Sequence, residues 1–293
     1  MQDYLSPLVR AIPPSGIRRF FDLVSASKDI ISLGVGEPDF VTPWHVREAS
    51  VYALEQGRTT YTHNAGLPEL REEIAAYLHN RFQLNYNPAD EMIVTVGGSE
   101  AIDLALRALI SPGDEVLIPE PTYIPYSPIA SICGAKAVGI ETFARDRFKL
   151  TAEGLREKLT PRSKILILCY PSNPTGAIMS YEDYLPIARL VEEHDLIVIS
   201  DEIYAELTYG ANHVSFASLP GMKDRTIVVS GFSKAFAMTG WRMGYACGHR
   251  DIIAAMLKIH QYTVMCAPIM GQIAAIEALR NGMEEKDRMV ESY

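Results

Sequence analysis

The sequence has no closely spaced cysteine pair, no long apolar run and no basic tract, and each absence removes a class of protein. Cys133, Cys169, Cys247 and Cys266 stand far apart with no CxxC spacing, so they read as reduced thiols of the core, and no metal site is expected. Apolar stretches such as Ile165–Cys169 and Leu196–Ile199 are strand-length, far short of the roughly 18 residues that a membrane span needs. Asp3, Arg10 and Pro13-Pro14 interrupt the N-terminal segment, so no secretory signal is expected there and the expected location is cytoplasmic. Basic residues form nothing longer than pairs such as Arg18-Arg19, and the formal net charge is −9. That charge opposes a phosphate backbone, so nucleic acid is not an expected partner, and neither is a membrane.

What is present is the composition of a globular protein, 48% hydrophobic and 22% charged over 293 residues. That length suits two domains or one large α/β domain. From about Met92 short β-branched runs alternate with amphipathic stretches, the pattern of an α/β domain with a mainly parallel sheet. Seven strands are expected, at Met92–Val96, Glu115–Ile118, Lys136–Ile140, Ile165–Cys169, Leu196–Ser200, Thr226–Val229 and Gly244–Cys247. Helices are expected at Ala101–Ile110, Ala152–Leu159 and Tyr181–Glu193, flanking the sheet.

In such sheets ligands bind beyond the carboxyl ends of the strands. The residues there are Gly97-Gly98-Ser99-Glu100 after the first strand and Tyr170 to Gly176 after the fourth. Asp201-Glu202-Ile203-Tyr204 follows the fifth, and Gly231-Phe232-Ser233-Lys234 the sixth. Free N–H groups where Gly97-Gly98-Ser99 enters a helix suit a phosphate, though Ser99 could equally be a plain N-cap. A lysine that loses its proton can attack an aldehyde, and an arginine can clamp a phosphate with paired hydrogen bonds. Lys234 and Arg242 lie among Gly, Phe, Met and Trp rather than in a charged surface stretch. Asp201 should sit at the cleft floor, where a protonated ring nitrogen roughly 4 Å away would gain about 4 kcal/mol at an effective dielectric near 20. A helix cap or salt bridge is the alternative for Asp201, a turn for Asn173, and packing for Tyr123 and Tyr204.

Taken together, Ser172–Gly176 (SNPTG), Ser200–Tyr204 (SDEIY), Phe232-Ser233-Lys234 and Thr239–Arg242 (TGWR) closely resemble the class I/II aminotransferases, pyridoxal-phosphate enzymes of fold type I. Leu33–Phe40 (LGVGEPDF), Tyr61-Thr62 and Gly66 extend the resemblance. It implies the cofactor pyridoxal 5′-phosphate, joined as an imine to Lys234, which would then move the proton between substrate and cofactor. Asp201 would pair with the ring nitrogen, Asn173 and Tyr204 with the ring oxygen, and Tyr123 would stack on the ring. Ser99, the Glu100 backbone, Ser233 and Arg242 would hold the phosphate, and Tyr61 would reach the phosphate of a neighbouring subunit in a homodimer with shared active sites. Gly36 and Asn173 would help bind the substrate carboxylate.

The resemblance further implies an arm and small-domain segment over 1–40, a cofactor-binding large domain over 41–280, and at 281–293 the start of a helix leading to an absent C-terminal domain of about 100 residues. That small domain, largely missing on this reading, would carry the arginine for the substrate α-carboxylate. One aspartate-preferring bacterial branch has Lys where this chain has Ser99, which leaves aromatic, alanine-like and diaminopimelate-pathway donors open. The activity expected is ping-pong transfer of an amino group from an L-amino acid to a 2-oxo acid. A β-lyase built on the same cradle and a non-catalytic cofactor-binding fragment are the alternatives.

Overall fold

The computed structural model describes residues 4–14 and 36–293. Arg18-Arg19 and the Leu33–Val35 part of the motif quoted above lie outside the described residues.

Seven strands form one sheet: β1 (Met92–Thr95), β2 (Glu115–Glu120), β3 (Lys136–Glu141), β4 (Ser163–Cys169), β5 (Ile197–Asp201), β6 (Thr226–Gly231) and β7 (Gly244–Cys247). Their spatial order is β1-β7-β6-β5-β4-β2-β3. β3, β2, β4, β5 and β6 run parallel, and β7 runs antiparallel to both β6 and β1. The sheet is thus mainly parallel, with helices on both faces.

Burial on both faces explains the continuous apolar runs. Along β4, Ile165, Ile167 and Cys169 enter one core layer while Leu166, Leu168 and then Tyr170 enter the other, as the two-residue period of a strand requires. Helices Gly97–Leu109 and Arg250–Thr263 cover the first face. Helix Tyr181–Glu193 covers the second, started by a capping box in which the Ser180 hydroxyl accepts from the Asp183 N–H and the Asp183 carboxylate accepts from the Ser180 N–H. A third cluster joins helices Pro68–Phe82 and Ile269–Asn281 to β1, β7 and the segment around Phe232 and Phe236.

Two details depart from expectation. The helix after β1 begins at Gly97 rather than Ala101, because the Glu100 carboxylate reaches back to the Val96 N–H and closes the first turn. Ser99 therefore stands inside that turn and caps nothing. Of the cysteines, Cys169 and Cys247 are core residues, whereas Cys133, at the end of helix Tyr126–Ile132, and Cys266, between helices Arg250–Thr263 and Ile269–Asn281, are only half-buried; all four are free thiols.

One buried ion cluster lies away from the sheet. Glu206 accepts from the Tyr77 hydroxyl at 2.7 Å, from Arg81 Nε and Nη2 at 3.0 and 2.6 Å, and from Lys286 Nζ at 2.8 Å. Burial alone would push its carboxyl up, but the bonds from Arg81, Lys286 and Tyr77 hold it down at about 2. Since the folded value lies below the unfolded one, this group stabilises the fold fully above the ordinary carboxylate range. That contribution is lost as pH falls towards about 2. Denaturant unfolding at a series of pH values should show an acid limb amounting to roughly 3 kcal/mol, and Glu206→Gln should flatten it while lowering stability at neutral pH.

Candidate active site

Strand direction decides what meets at the carboxyl edge of the sheet. β1 and β6 end there, and β7, running the other way between them, begins there, with Gly244 opposite both Thr95 and Gly231. The segments Gly97-Gly98-Ser99, Ser233-Lys234 and Arg242 are thereby delivered to one place from three parts of the chain. Gly97 has φ of 76°, a left-handed value, and a Cβ on it would run into the Arg242 guanidinium. A Cβ on Gly244 would collide with the Gly97 and Gly98 backbone. These two positions must be glycine for the helix start and the arginine to lie side by side.

A cavity of about 570 Å³ opens over this edge. Gly36, Ser99, Tyr123, Asn173, Asp201, Tyr204, Ser233, Lys234 and Arg242 all line it. Glu100 does not: its carboxylate turns inward to Val96 and to His260 Nδ1, 2.9 Å away. Tyr61 is also absent from the wall and is 80% exposed.

Among the wall residues not singled out as site candidates from the sequence are Tyr126, Cys169 and Glu37. Tyr126 is fully buried, and its hydroxyl donates to Asp201 Oδ2 at 2.6 Å. Cys169, the last residue of β4, lies beside them, its thiol pushed up to about 12 by burial and by the Asp201 charge. Glu37 adjoins Gly36 at the mouth. Tyr126 opens the helix Tyr126–Ile132 just beyond Tyr123, and the two rings meet edge to face with centroids 5.4 Å apart.

The electrostatics are complementary along the cavity. Asp201 at the floor has as donors the Tyr126 hydroxyl and, at 3.2 Å, the Ile203 N–H. Burial pushes its carboxyl up and Glu202 adds to this, while the bonds from Tyr126 and Ile203 oppose it. A buried carboxylate this sparsely paired suits a cationic partner above it. At the other end Arg242, anchored by donation from Nη1 to the Thr239 carbonyl at 2.9 Å, lies beside the start of helix Gly97–Leu109. Positive charge and free N–H groups there suit a dianion. Between the two ends, Lys234 donates to the Gly36 carbonyl and stands 5.7 Å from the Tyr204 ring centroid. Burial lowers its pKa, Arg242 lowers it further, and Glu37 works against them. Anion site, amine and buried carboxylate thus stand on the wall of one cavity.

Comparison with known proteins bears on what such a cavity does. The family described as aminotransferase class I and II matches residues 28–293. A Bacillus subtilis (strain 168) protein named putative aminotransferase YugH is 56% identical over all of this chain, which spans 76% of that protein. Another from the same organism, named probable N-acetyl-LL-diaminopimelate aminotransferase, is 46% identical over the whole chain and 74% of its own length. Among solved structures, aspartate aminotransferase from Thermus thermophilus with maleate superposes with a TM-score of 0.92 at 39% identity, covering 98% of this chain and 75% of that one. Among the described residues no helix is long and apolar enough to cross a membrane.

Replacing Gly97 with Ala should cost about 1–2 kcal/mol from the left-handed backbone alone and should drive Arg242 off the helix start. Thermal unfolding would register the first effect, and titration with inorganic phosphate the second, as binding several-fold weaker than in the parent.

Proposed function

The chain belongs to the class I and II aminotransferase family, and on that premise we propose how its own residues carry out amino-group transfer with pyridoxal 5′-phosphate. The enzyme is a pyridoxal-phosphate-dependent aminotransferase that acts on amino acids and 2-oxo acids. Bound, the cofactor supplies an aldehyde and an electron-withdrawing ring, which let an amino group pass from an L-amino acid to a 2-oxo acid. The observation that carries the residue assignment is that Lys234, Asp201 and Arg242 line one cavity, which brings an amine, a buried carboxylate and an anion-binding guanidinium together.

On this assignment Lys234 is the reacting amine. Its lowered pKa leaves more of it neutral, and so nucleophilic, than an exposed lysine at the same pH. It would hold the cofactor's aldehyde carbon and, as a free amine, would take and return the proton at the substrate Cα. Asp201, held by Tyr126, would pair with the ring nitrogen and favour its protonated form. Asn173 and Tyr204 are assigned to the ring oxygen and Tyr123 to the ring face; all three line the cavity. Ser99, the Glu100 backbone, Ser233 and Arg242 are assigned to the phosphate, and the Gly36 backbone with Asn173 to the substrate carboxylate.

Tyr61, exposed and outside the cavity of its own chain, is assigned to the phosphate of a second copy. Val41, Trp44, Tyr52 and Leu54, exposed apolar residues in and just before helix Trp44–Glu55, support a homodimer. The names of the relatives cover diaminopimelate, aspartate and aromatic amino-acid chemistry. Ser99 on the wall offers no cation for a distal carboxylate, which supports a donor other than aspartate.

The cofactor mixed with the chain should give a visible absorption band that Lys234→Ala abolishes, together with turnover. An effective amino donor should bleach the band and a 2-oxo acid should restore it. Formation of the band should speed up as pH rises, with a midpoint below the ordinary lysine range, because neutral Lys234 is the reactive form. A donor panel read by bleaching identifies the substrate.

A further inference from the structure

Two acidic side chains beside the cavity take no part in lining it, and both are buried. Glu202 Oε1 accepts from the Ser200 and Ser215 hydroxyls at 2.9 and 2.7 Å, and its other oxygen meets His213 Nε2 at 2.9 Å. Glu206 has the Tyr77, Arg81 and Lys286 partners described above. Asp201 and Tyr204 alternate with these acids along the chain and face the other way, into the cavity. The run from 201 to 206 thus has a working side and an anchored side.

Tyr204 starts the short 3-10 turn Ala205–Leu207, its carbonyl accepting the Leu207 N–H at 2.8 Å. A single turn of this type holds its shape poorly through its own bonds. What fixes the turn is Glu206, two residues on, gripped by two helices remote in sequence: Pro68–Phe82 through Tyr77 and Arg81, and Met283–Ser292 through Lys286. The buried side chains of helix Met283–Ser292 are Lys286 and Met289, so this carboxylate is the polar anchor of its seating, beside the apolar one at Met289. Side-chain exposure is 4% for Glu206 and 1% for Lys286. Neither can turn to water: removing Glu206 leaves Lys286 with Asp287 alone, at 2.6 Å, and removing Lys286 leaves Glu206 with Tyr77 and Arg81, so either change unbalances a buried charge. The relief available is movement of the turn or of the helix, and Tyr204 is part of the turn.

We propose that Glu206 is a positioning residue for the cofactor site: pinned by Lys286, Arg81 and Tyr77, it sets the place of Tyr204 on the cavity wall, so that the seating of helix Met283–Ser292 is felt at the cofactor ring. The proposal rests on the assignment of Tyr204 to the ring oxygen.

The test is a pH titration of the Lys234-dependent visible band, with cofactor affinity, in the full chain and in Tyr204→Phe, Glu206→Gln, Lys286→Met and the two double variants with Tyr204→Phe. Glu206→Gln and Lys286→Met should move the midpoint in the direction that Tyr204→Phe moves it. Each should weaken cofactor binding about tenfold, or about 1.4 kcal/mol, and add nothing further in the Tyr204→Phe background. Lys286→Met leaves Glu206 with Tyr77 and Arg81, so it carries the test if Glu206→Gln does not fold. A midpoint moved by Tyr204→Phe alone, or full additivity in the double variants, overturns the proposal and spares the ring-oxygen assignment. A midpoint that Tyr204→Phe itself leaves in place overturns both.

Discussion

The site depends on a contact between backbones. Gly244, opening β7, lies against Gly97 and Gly98 so closely that neither it nor Gly97 can carry a side chain without displacing a neighbour. This contact exists because β7 runs against β1 and β6. In a wholly parallel sheet the start of a strand would lie at the opposite edge, and Arg242 would be a strand's length from the helix that shares its anion site. One reversed strand thus converts three remote segments into neighbours.

The second organising element is the handling of buried acid. Asp201, Glu202 and Glu206 fall within six residues and all are buried, yet each has a different surrounding. Glu202 is saturated by two hydroxyls and a histidine, and Glu206 by cations and a phenol. Asp201 has two neutral donors and open space. The difference is what separates a structural carboxylate from one that awaits a positively charged ligand. It is a difference of partners, not of residue type or depth.

Much of this was legible in the sequence. All seven strands could be placed to within a few residues, because strands covered on both faces are short unbroken apolar runs such as Ile165–Cys169. The residues following them could be proposed as site candidates from the rule that ligands gather at carboxyl ends. The start of the helix at Gly97 was not legible, since two glycines argue for a loop until the Glu100 carboxylate closes the turn. Nor was the pairing of Tyr126 with Asp201, across 75 positions, or the division of labour among the three acids, because hydrogen-bond partners are set by how distant segments pack. The contact of the Glu100 side chain with His260, 160 positions away, was equally out of reach.

The cavity's floor and its mouth are built from different materials. Anion site and acid floor are tied to strand register and to glycines, where nearly every substitution disturbs the sheet. The mouth includes Ile124, 56% exposed, on the stretch between β2 and helix Tyr126–Ile132. Side chains there can change size or polarity with little consequence for the strands beneath. An inherited chemistry can in this way be offered to new substrates by altering the rim alone, which makes the rim the natural place to redesign this catalyst's selectivity.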